Sequence, residues 1–360
     1  MSTLRPRHYD GPRPPLRLAR PLLWLAALAS LVAWLAVERH HHGLTHPRFG
    51  DMLAAARTMQ AGMRVIAGEK ARLGLLQPAW VDRNRTGLIG PEYTPITTSL
   101  GLLDAKRTAA NPDLAAAIVR VLHPLRIAPG EVVVVALSGS LVGANLAVLS
   151  ALEALDLQAV VVSSVSASMW GATDPDLTWL DMERRLVDAG VLATPSRLAV
   201  RGGIGGIGRG LPEAALVALD AAIARHGATA MEADTLAEMT AQVETALLAA
   251  AGTQPRLFVN AGGSTLALGT CAESPEIPPG LSTRPLPCTD GVAGLAMRFA
   301  GRGVPILHLL DMRRLAVEWG LPFDPYPLPA IGDERRIYGS PPPAGAEHRS
   351  GEPGKCCTPA

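Results

Sequence analysis

The amino-acid sequence predicts an α/β fold, a three-layer sandwich whose mostly parallel sheet has about five strands. The first indication is a run of four valines at 132–135, which is apolar on both faces, β-branched and too short for a helix. Apolar residues at helical spacing follow it, and then a second apolar strand at 159–162. A strand, helix, strand order of this kind indicates a parallel sheet with a crossover connection. The pattern recurs downstream, where strands are predicted at 198–201, 256–260 and 304–309.

Helices are predicted between these strands. The first, over 51–75, is amphipathic and suits either a stalk or a helix that packs on the body. Hydroxyl, Asn-Pro and Asp-Pro starts and glycine stops delimit the others. These are predicted at 99–106, 112–122, 176–189, 212–226, 234–250 and 290–300, with a last helix that ends near 320.

The composition of the 360 residues narrows the class of protein. Apolar residues make up 48% and aromatic residues only 4%, which suits an Ala-, Leu- and Val-rich α/β core better than a carbohydrate-stacking β-sandwich. Five arginines and one aspartate fall within 1–20, so the remaining chain carries 28 Lys and Arg against 31 Asp and Glu. A slightly acidic body argues against a basic nucleic-acid-binding protein, and no nucleic acid is expected as a partner.

Residues 21–37 form an apolar segment of 17 residues without a charge. Its length is at the short end of what spans a membrane, and Trp24 and Trp34 near its ends are typical interfacial anchors. A cleaved signal peptide is the alternative, but no small-x-small cleavage site precedes Glu38. We therefore predict a transmembrane signal anchor, single-pass in the inner (cytoplasmic) membrane, with the Arg-rich lead 1–20 in the cytoplasm and the body outside.

The chain after the anchor is predicted to have three parts. Residues 38–98 form a stalk helix and a turn-rich linker, 99–325 an extracytoplasmic α/β domain, and 326–360 a Pro- and Gly-rich, largely disordered tail. Cys271 and Cys288 bracket a Pro-rich loop, which a disulfide can close, although two separate thiols are equally compatible.

Histidines 40–42 and His46 follow the apolar segment directly, and a metal site is one reading of them. Because nothing downstream supplies matching ligands at metal spacing, we interpret them as a solvated linker and predict no metal. The sequence contains no H-E-x-x-H, Walker or C-x-x-C motif, so no cofactor is predicted either.

Each predicted strand ends in a loop of small polar residues. Because the carboxyl ends of parallel strands meet at one edge of the sheet, these loops are expected to form a ligand site together. The candidate ligand-binding residues are Ser138, Gly139, Ser140, Asn145, Ser164, Ser166, Gly203, Gly205, Gly206, Gly208, Arg209, Asn260, Gly262 and Gly263. Hydroxyls, backbone N–H groups and one arginine favour an anion such as a carboxylate or a phosphate.

Gly203, Gly205 and Gly208 also satisfy the dinucleotide fingerprint G-x-G-x-x-G, with Glu232 as a possible ribose ligand. The match follows the third strand instead of the first, and it falls in a loop saturated with glycine. A dinucleotide is also unexpected outside the membrane. We therefore interpret this loop as an anion site. For the loop at Ser138-Gly139-Ser140, a tight structural turn is the alternative to a ligand site.

A loop serine can also act as a nucleophile, and the candidates are Ser140, Ser164 and Ser166. The sequence around them is not G-x-S-x-G, the nucleophile elbow of α/β hydrolases. A nucleophilic serine needs a base, and none of His123, His226 and His308 is placed near these serines by the sequence; a buried core position is the simpler reading of His308. On the helix at 176–189, Asp181 and Arg184 are predicted to form a solvated ion pair.

Several stretches together resemble the poly-γ-glutamate system protein family, which is found with genes for the synthesis and export of poly-γ-glutamate capsules. The resemblance covers about 93–325 and rests on YTPITTSLGLLDAKRTAANPDLAAAIV (93–119), SGSLVGANLAVLSALEAL (138–155), VSSVSASMWGATDPDLTWLDMERRL (162–186), GGIGGIGRGL (202–211), FVNAGGS (258–264) and GVPILHLLDMRRLA (303–316). It implies an envelope protein whose partners are the anionic polymer or its membrane synthase and export proteins. It implies no catalytic residue.

Three functions are therefore open from the sequence. The first is a membrane-anchored accessory domain that binds poly-γ-glutamate or the proteins that make it. The second is a serine-dependent hydrolase or transpeptidase that acts on this polymer. The third is a sugar-phosphate or nucleotide-phosphate binder, because the Ser-Gly-Ser loop at 138–140 is also similar to sugar-isomerase domains.

Overall fold

The computed structural model describes residues 20–42, 45–284 and 287–340. The chain divides into two units between Thr45 and His46. The first unit contains helix α1, Arg20–His42, whose described side chains at 21–34 are exposed. Within the described residues, no helix combines the length and the hydropathy that are needed to cross a membrane. The predicted tail beyond 340, with its two cysteines, lies outside the described residues.

The second unit is built on a seven-stranded sheet, which confirms the α/β class but not the five strands that were predicted. The strands are β1 Val132–Ser138, β2 Gln158–Ser164, β3 Leu198–Val200, β4 Thr229–Ala230, β5 Leu257–Ala261, β6 Gly280–Ser282 and β7 Ile306–Leu309. Their order across the sheet is β4-β3-β2-β1-β5-β7-β6, and all neighbours are parallel except β6 and β7. All five predicted strands are present. The two that were missed are edge strands of two and three residues, too short to show an apolar pattern.

Alternate residues of the central strand face two different hydrophobic cores. Val133 and Val135 pack into the larger core with helices on one face of the sheet, whereas Val134 and Ala136 pack into the core on the other face. Phe258 and Phe299 stack in this second core with ring centroids 4.8 Å apart. Helices on both faces make a three-layer arrangement, and this explains why the valine run is apolar on both sides.

The helices of this unit surround the sheet. Their bounds are α2 Phe49–Leu73, α3 Leu103–Ala109, α4 Asp113–Leu122, α5 Val142–Ala154, α6 Trp179–Asp188, α7 Glu213–His226, α8 Leu236–Ala251, α9 Thr265–Leu268, α10 Leu295–Gly301, α11 Met312–Trp319 and α12 Arg335–Tyr338. Most agree with the predicted helices, and three of them, α3, α6 and α10, begin three or more residues later than predicted.

These late starts follow from hydrogen bonds of the residues that precede each helix, some local and some tertiary. Thr97 forms an isolated β-bridge with Ala167, and the N–H of Thr98 donates to the carbonyl of Ala167, so α3 begins only at Leu103. Thr178 caps α6 in a reciprocal capping box with Asp181. Asp290, expected to cap α10, instead accepts a hydrogen bond from the N–H of Ala272.

The predicted ion pair on α6 is also wrong in its partners. Arg184 pairs with Asp188 at 3.0 Å, and Asp181 pairs with Arg225 of α7 at 2.9 Å. The capping bond fixes the Asp181 carboxylate at the start of the helix, where it faces α7.

Helix α2 packs on the body and is not a free stalk. Met52, Met59 and Ile66 on one of its faces are fully buried in the larger core. The compact unit therefore begins at His46, so residues 46–98 belong to it together with the α/β core. It also extends past 325, because the hydroxyl of Tyr338 donates to Asp113 Oδ1 at 2.6 Å.

Candidate functional site

A cavity of about 270 Å³ opens at the carboxyl ends of β1, β2, β3 and β5. From β1 the chain proceeds outward through β2, β3 and β4, and then returns to the other side of β1 as β5. The loops that follow β1 and β5 therefore diverge, and such a reversal is the usual ligand position in open parallel sheets. Eight hydroxyl side chains line the cavity: Thr98, Ser99, Ser138, Ser140, Ser164, Ser166, Ser264 and Thr265.

The β1 loop is held by its own side chains. The hydroxyl of Ser138 accepts a hydrogen bond from the N–H of Ser140 at 3.2 Å, and the Asn145 side chain donates to the carbonyl of Ser138 at 2.8 Å. The hydroxyl of Ser140 in turn accepts from the N–H of Ser168 at 2.9 Å, which ties the β1 loop to the β2 loop. A Cβ at Gly139 would lie 2.5 Å from the carbonyl oxygen of Val165, so this close approach requires glycine.

The β2 loop places two serine hydroxyls beneath the glycine-rich loop after β3. Ser166 accepts a hydrogen bond from the N–H of Gly203 at 3.0 Å. Gly202 has φ +88°, and a Cβ there would clash with Ser166 Oγ and lie 2.7 Å from Ser164 Oγ. Glycine at 202 thus allows both the turn and the approach of the two hydroxyls.

The glycine-rich loop contributes Gly203, Ile204 and Arg209 to the cavity wall. Arg209 is exposed, and its side chain forms no ion pair with the residues that the structure describes. Of the three fingerprint glycines, only Gly203 lines the cavity. Glu232 lies 3.6 Å from the guanidinium of Arg201, outside the cavity lining. The loop therefore borders the cavity through only one of its three fingerprint glycines.

The β5 loop is supported from behind by a buried pair. The Asn260 side chain lies 2.9 Å from His308 Nδ1 and donates to the carbonyl of Gly262 at 2.9 Å. Burial lowers the pKa of His308 to about 4, so the ring is neutral at physiological pH. Asn260 thus positions Gly263 and Ser264 in the wall, and neither it nor His308 reaches the cavity.

Lys106 is the residue near the site that the sequence analysis missed. Its ammonium donates to the carbonyl of Ser140 and, at 2.7 Å, to the hydroxyl of Ser168. Burial lowers the pKa of Lys106 from its usual 10.5 to about 7. A lysine followed by arginine on a predicted helix looks like a solvated pair, and only the packing of α3 against α5 reveals its burial.

The structure brings half of the predicted ligand-binding residues together in this cavity. Those in its wall are Ser138, Ser140, Ser164, Ser166, Gly203, Arg209 and Gly263. Those outside the wall are Gly139, Asn145, Gly205, Gly206, Gly208, Asn260 and Gly262. Missed wall residues include Thr98, Ser99, Ser264 and Thr265, whose only sequence signal was a hydroxyl cluster beside a predicted loop.

All three candidate nucleophiles, Ser140, Ser164 and Ser166, lie in the wall. No histidine or carboxylate is among the wall residues that the structure describes. His226, the last residue of α7, does not line the cavity. Its Nε2 lies 2.8 Å from Glu183 Oε2 inside the core, without the geometry of a hydrogen bond. The described residues also hold no cluster of three or more metal-ligating side chains.

The chain matches no protein-family model, no curated protein and no solved structure. The function is therefore inferred from the cavity and from the resemblance in sequence.

Proposed function

We propose that this protein is a membrane-anchored, extracytoplasmic α/β domain of a poly-γ-glutamate capsule system, and that it binds the carboxylates of this polymer in the cavity. The observation that carries the proposal is the composition of the wall, with eight hydroxyl side chains and Arg209. Hydroxyls hydrogen-bond to carboxylates, and an arginine binds them in bidentate geometry. The polymer itself is inferred from the sequence resemblance.

A position outside the membrane is supported by the cysteines. Cys271 and Cys288 form a disulfide with a Cα–Cα distance of 5.4 Å. Disulfides persist mainly in oxidising compartments, which suits the body of a protein whose anchor leads out of the cytoplasm. The anchor at 21–37 is proposed from its apolar sequence and its charged flanks.

A second candidate function is the binding of a sugar phosphate or nucleotide phosphate. The observation that favours it is the same small cavity, because a phosphate also accepts several hydrogen bonds from hydroxyls and N–H groups at a strand-to-helix loop. This function suits a cytoplasmic body better, since phosphorylated metabolites are concentrated there.

A serine hydrolase or transpeptidase is less well supported. Among the described residues, Lys106 is the one titratable group bonded to the serine loops. It contacts the hydroxyl of the buried Ser168 and the backbone of Ser140 instead of a nucleophile in the cavity. Acyl transfer by a serine needs a base within hydrogen-bonding distance of its hydroxyl.

A binding titration with simultaneous analysis of the ligand separates these functions. The full chain in detergent micelles is titrated with poly-γ-glutamate, with poly-α-glutamate and with a hexose phosphate, and the length of the polymer is measured before and after. We expect saturable binding of the γ-linked polymer without shortening. Binding of the hexose phosphate alone would favour the second function, and shortening that Ser140→Ala abolishes would establish the hydrolase.

A further inference from the structure

We infer that the cavity binds the free γ-carboxyl end of poly-γ-glutamate, one terminal residue at a time, and does not bind the internal units of the polymer. This inference depends on the proposed function and specifies the part of the polymer that is recognised. Three features of the site lead to it: its size, the number of its positive charges and the hydrogen-bonding character of its wall.

The cavity is small and bounded on four sides by loops. Its volume of about 270 Å³ is below the range of about 300–1,000 Å³ in which drug-sized ligands are usually held. Ile204 and Leu211 form the apolar part of the wall beside the hydroxyls. A site that follows a polymer is a groove open at both ends, whereas this volume suits a single small end group.

The charges near the cavity also match the terminal unit of the polymer better than its internal units. Each internal unit of the polymer carries one carboxylate, so a surface that follows the chain needs a row of cations. Arg209 is the sole cation among the described wall residues, and no acidic side chain is found there. The terminal unit is different because it carries two carboxylates, the α-carboxylate and the free γ-carboxylate.

Lys106 can supply a second positive charge at this place, because burial lowers its pKa to about 7, where the amine is half protonated, and a bound anion favours the protonated form. It lies directly behind the wall, since its ammonium is bonded to the backbone of Ser140. Two of its three donors have protein partners, and among the described residues no carboxylate pairs with it. A buried cation without a counterion is costly, and an anion bound against Ser140 would offset that cost. Arg209 and Lys106 thus suit the two carboxylates of one terminal residue.

The hydroxyls can serve the remaining atoms of that residue. A hydroxyl both donates and accepts, so Ser164 or Ser166 can pair with the N–H of the last amide bond, and Ser264 with a carboxylate. A wall of hydroxyls is therefore compatible with the mixed donors and acceptors of a chain end.

The test uses synthetic γ-glutamyl oligomers of two lengths, each with a free or an amidated terminal γ-carboxyl group. Binding to the full chain in detergent is measured by calorimetry. We expect the affinity per molecule to be nearly independent of length, and amidation to weaken binding at least tenfold. Affinity that grows with length and is unchanged by amidation would overturn end recognition while leaving the proposed function intact. If no γ-glutamyl oligomer binds, the proposed function fails and the inference fails with it.

Variants test the two cations separately. Arg209→Gln is expected to weaken binding of the free end at least tenfold and to reduce the difference between free and amidated oligomers. Arg184→Gln, on the exposed face of α6, is the matched control and should bind as the wild type does. Lys106→Met should have the same effect as Arg209→Gln, and circular dichroism verifies its fold. Unchanged discrimination in Arg209→Gln would contradict the inference.

Discussion

Gly202 decides the position of two serines in the cavity wall. Its φ of +88° is accessible to glycine, and the space of a side chain is already occupied by the hydroxyls of Ser164 and Ser166. We predict that Gly202→Ala weakens binding of γ-glutamyl oligomers at least tenfold, because the new methyl group displaces these hydroxyls. The binding titration described above measures this effect.

A matched control separates the clash from the backbone strain. Gly227 has φ +84° at the end of α7, and a Cβ there would meet no atom within 4 Å. Gly227→Ala should lose about 1–2 kcal/mol of stability, the usual cost of a left-handed residue, and Gly202→Ala should lose at least as much because of the added clash. Only Gly202→Ala should lose ligand binding, and an equal loss in Gly227→Ala would show that strain alone accounts for the effect.

Lys106 should make the stability of the protein depend on pH. Its pKa is about 7 in the folded chain and 10.5 as the ordinary value, so between these values the unfolded chain binds a proton that the folded chain does not. The free energy of unfolding therefore rises with pH above about 7, by up to about 1.4 kcal/mol per pH unit. We predict that Lys106→Met removes this increase, measured by urea unfolding at pH 7 and pH 8.

The comparison is limited to pH 7–8 because of a second buried lysine. Lys70 donates to the carbonyl of Ile89 at 2.7 Å, and burial lowers its pKa to about 8. Lys70 therefore contributes a similar increase at higher pH in both proteins. If the free energy of unfolding changes with pH equally in the wild type and in Lys106→Met between pH 7 and 8, then burial does not lower the pKa of Lys106.

At the scale of elements, the disulfide stabilises the edge of the sheet. The loop between Cys271 and Cys288 contains β6, the antiparallel edge strand that pairs with β7. Closing a loop of this length contributes about 3 kcal/mol through the entropy of the unfolded chain. We predict that the double variant Cys271→Ser, Cys288→Ser loses about this amount in urea unfolding and exchanges the amides of β6 faster.

A reducing agent provides the control for that prediction. It should destabilise the wild type to the level of the double variant and leave the double variant unchanged. Equal stability of oxidised wild type and double variant would indicate that the loop is closed without the covalent bond.

Helix α2 stabilises the body because it packs on α4 and α5. Met59 is fully buried on its inner face, whereas Arg57 is exposed on its outer face. We predict that Met59→Ala lowers the free energy of unfolding by about 2–5 kcal/mol, as a cavity in a core does. Arg57→Ala should change it by less than about 0.5 kcal/mol. A helix that acted only as a stalk would give the same small effect for both.

For the whole molecule, the proposed anchor predicts how the chain is distributed in the cell. We expect the full chain to stay with the membrane fraction after washing at high pH, and a chain without residues 1–42 to be released from it. Protease added from outside should digest the body and spare the lead. Recovery of the full chain in the soluble fraction would contradict the anchor and would favour the phosphate-binding function instead.

The local pattern of the sequence determined the fold class and the five main strands. Runs of β-branched residues and helical spacing depend on neighbours along the chain, so Val132–Ser138 and α4 could be predicted with nearly correct bounds. The sequence also predicted that the polar loops lie at one edge of the sheet, because the carboxyl ends of parallel strands meet there. The disulfide and the position of α2 remained open, because the sequence fits a disulfide or two separate thiols, and a stalk or a packed helix.

Only the tertiary structure decided which side chains face the cavity. Ser138 and Ser140 point into it while Asn145 holds their loop from behind, because the direction of a side chain depends on how α5 packs on the sheet. The packing of α3 places Lys106 behind the cavity wall. The short edge strands β4 and β6 form by hydrogen-bonding to the backbone of β3 and β7. These features arise from contacts between residues far apart in sequence, which no local pattern contains.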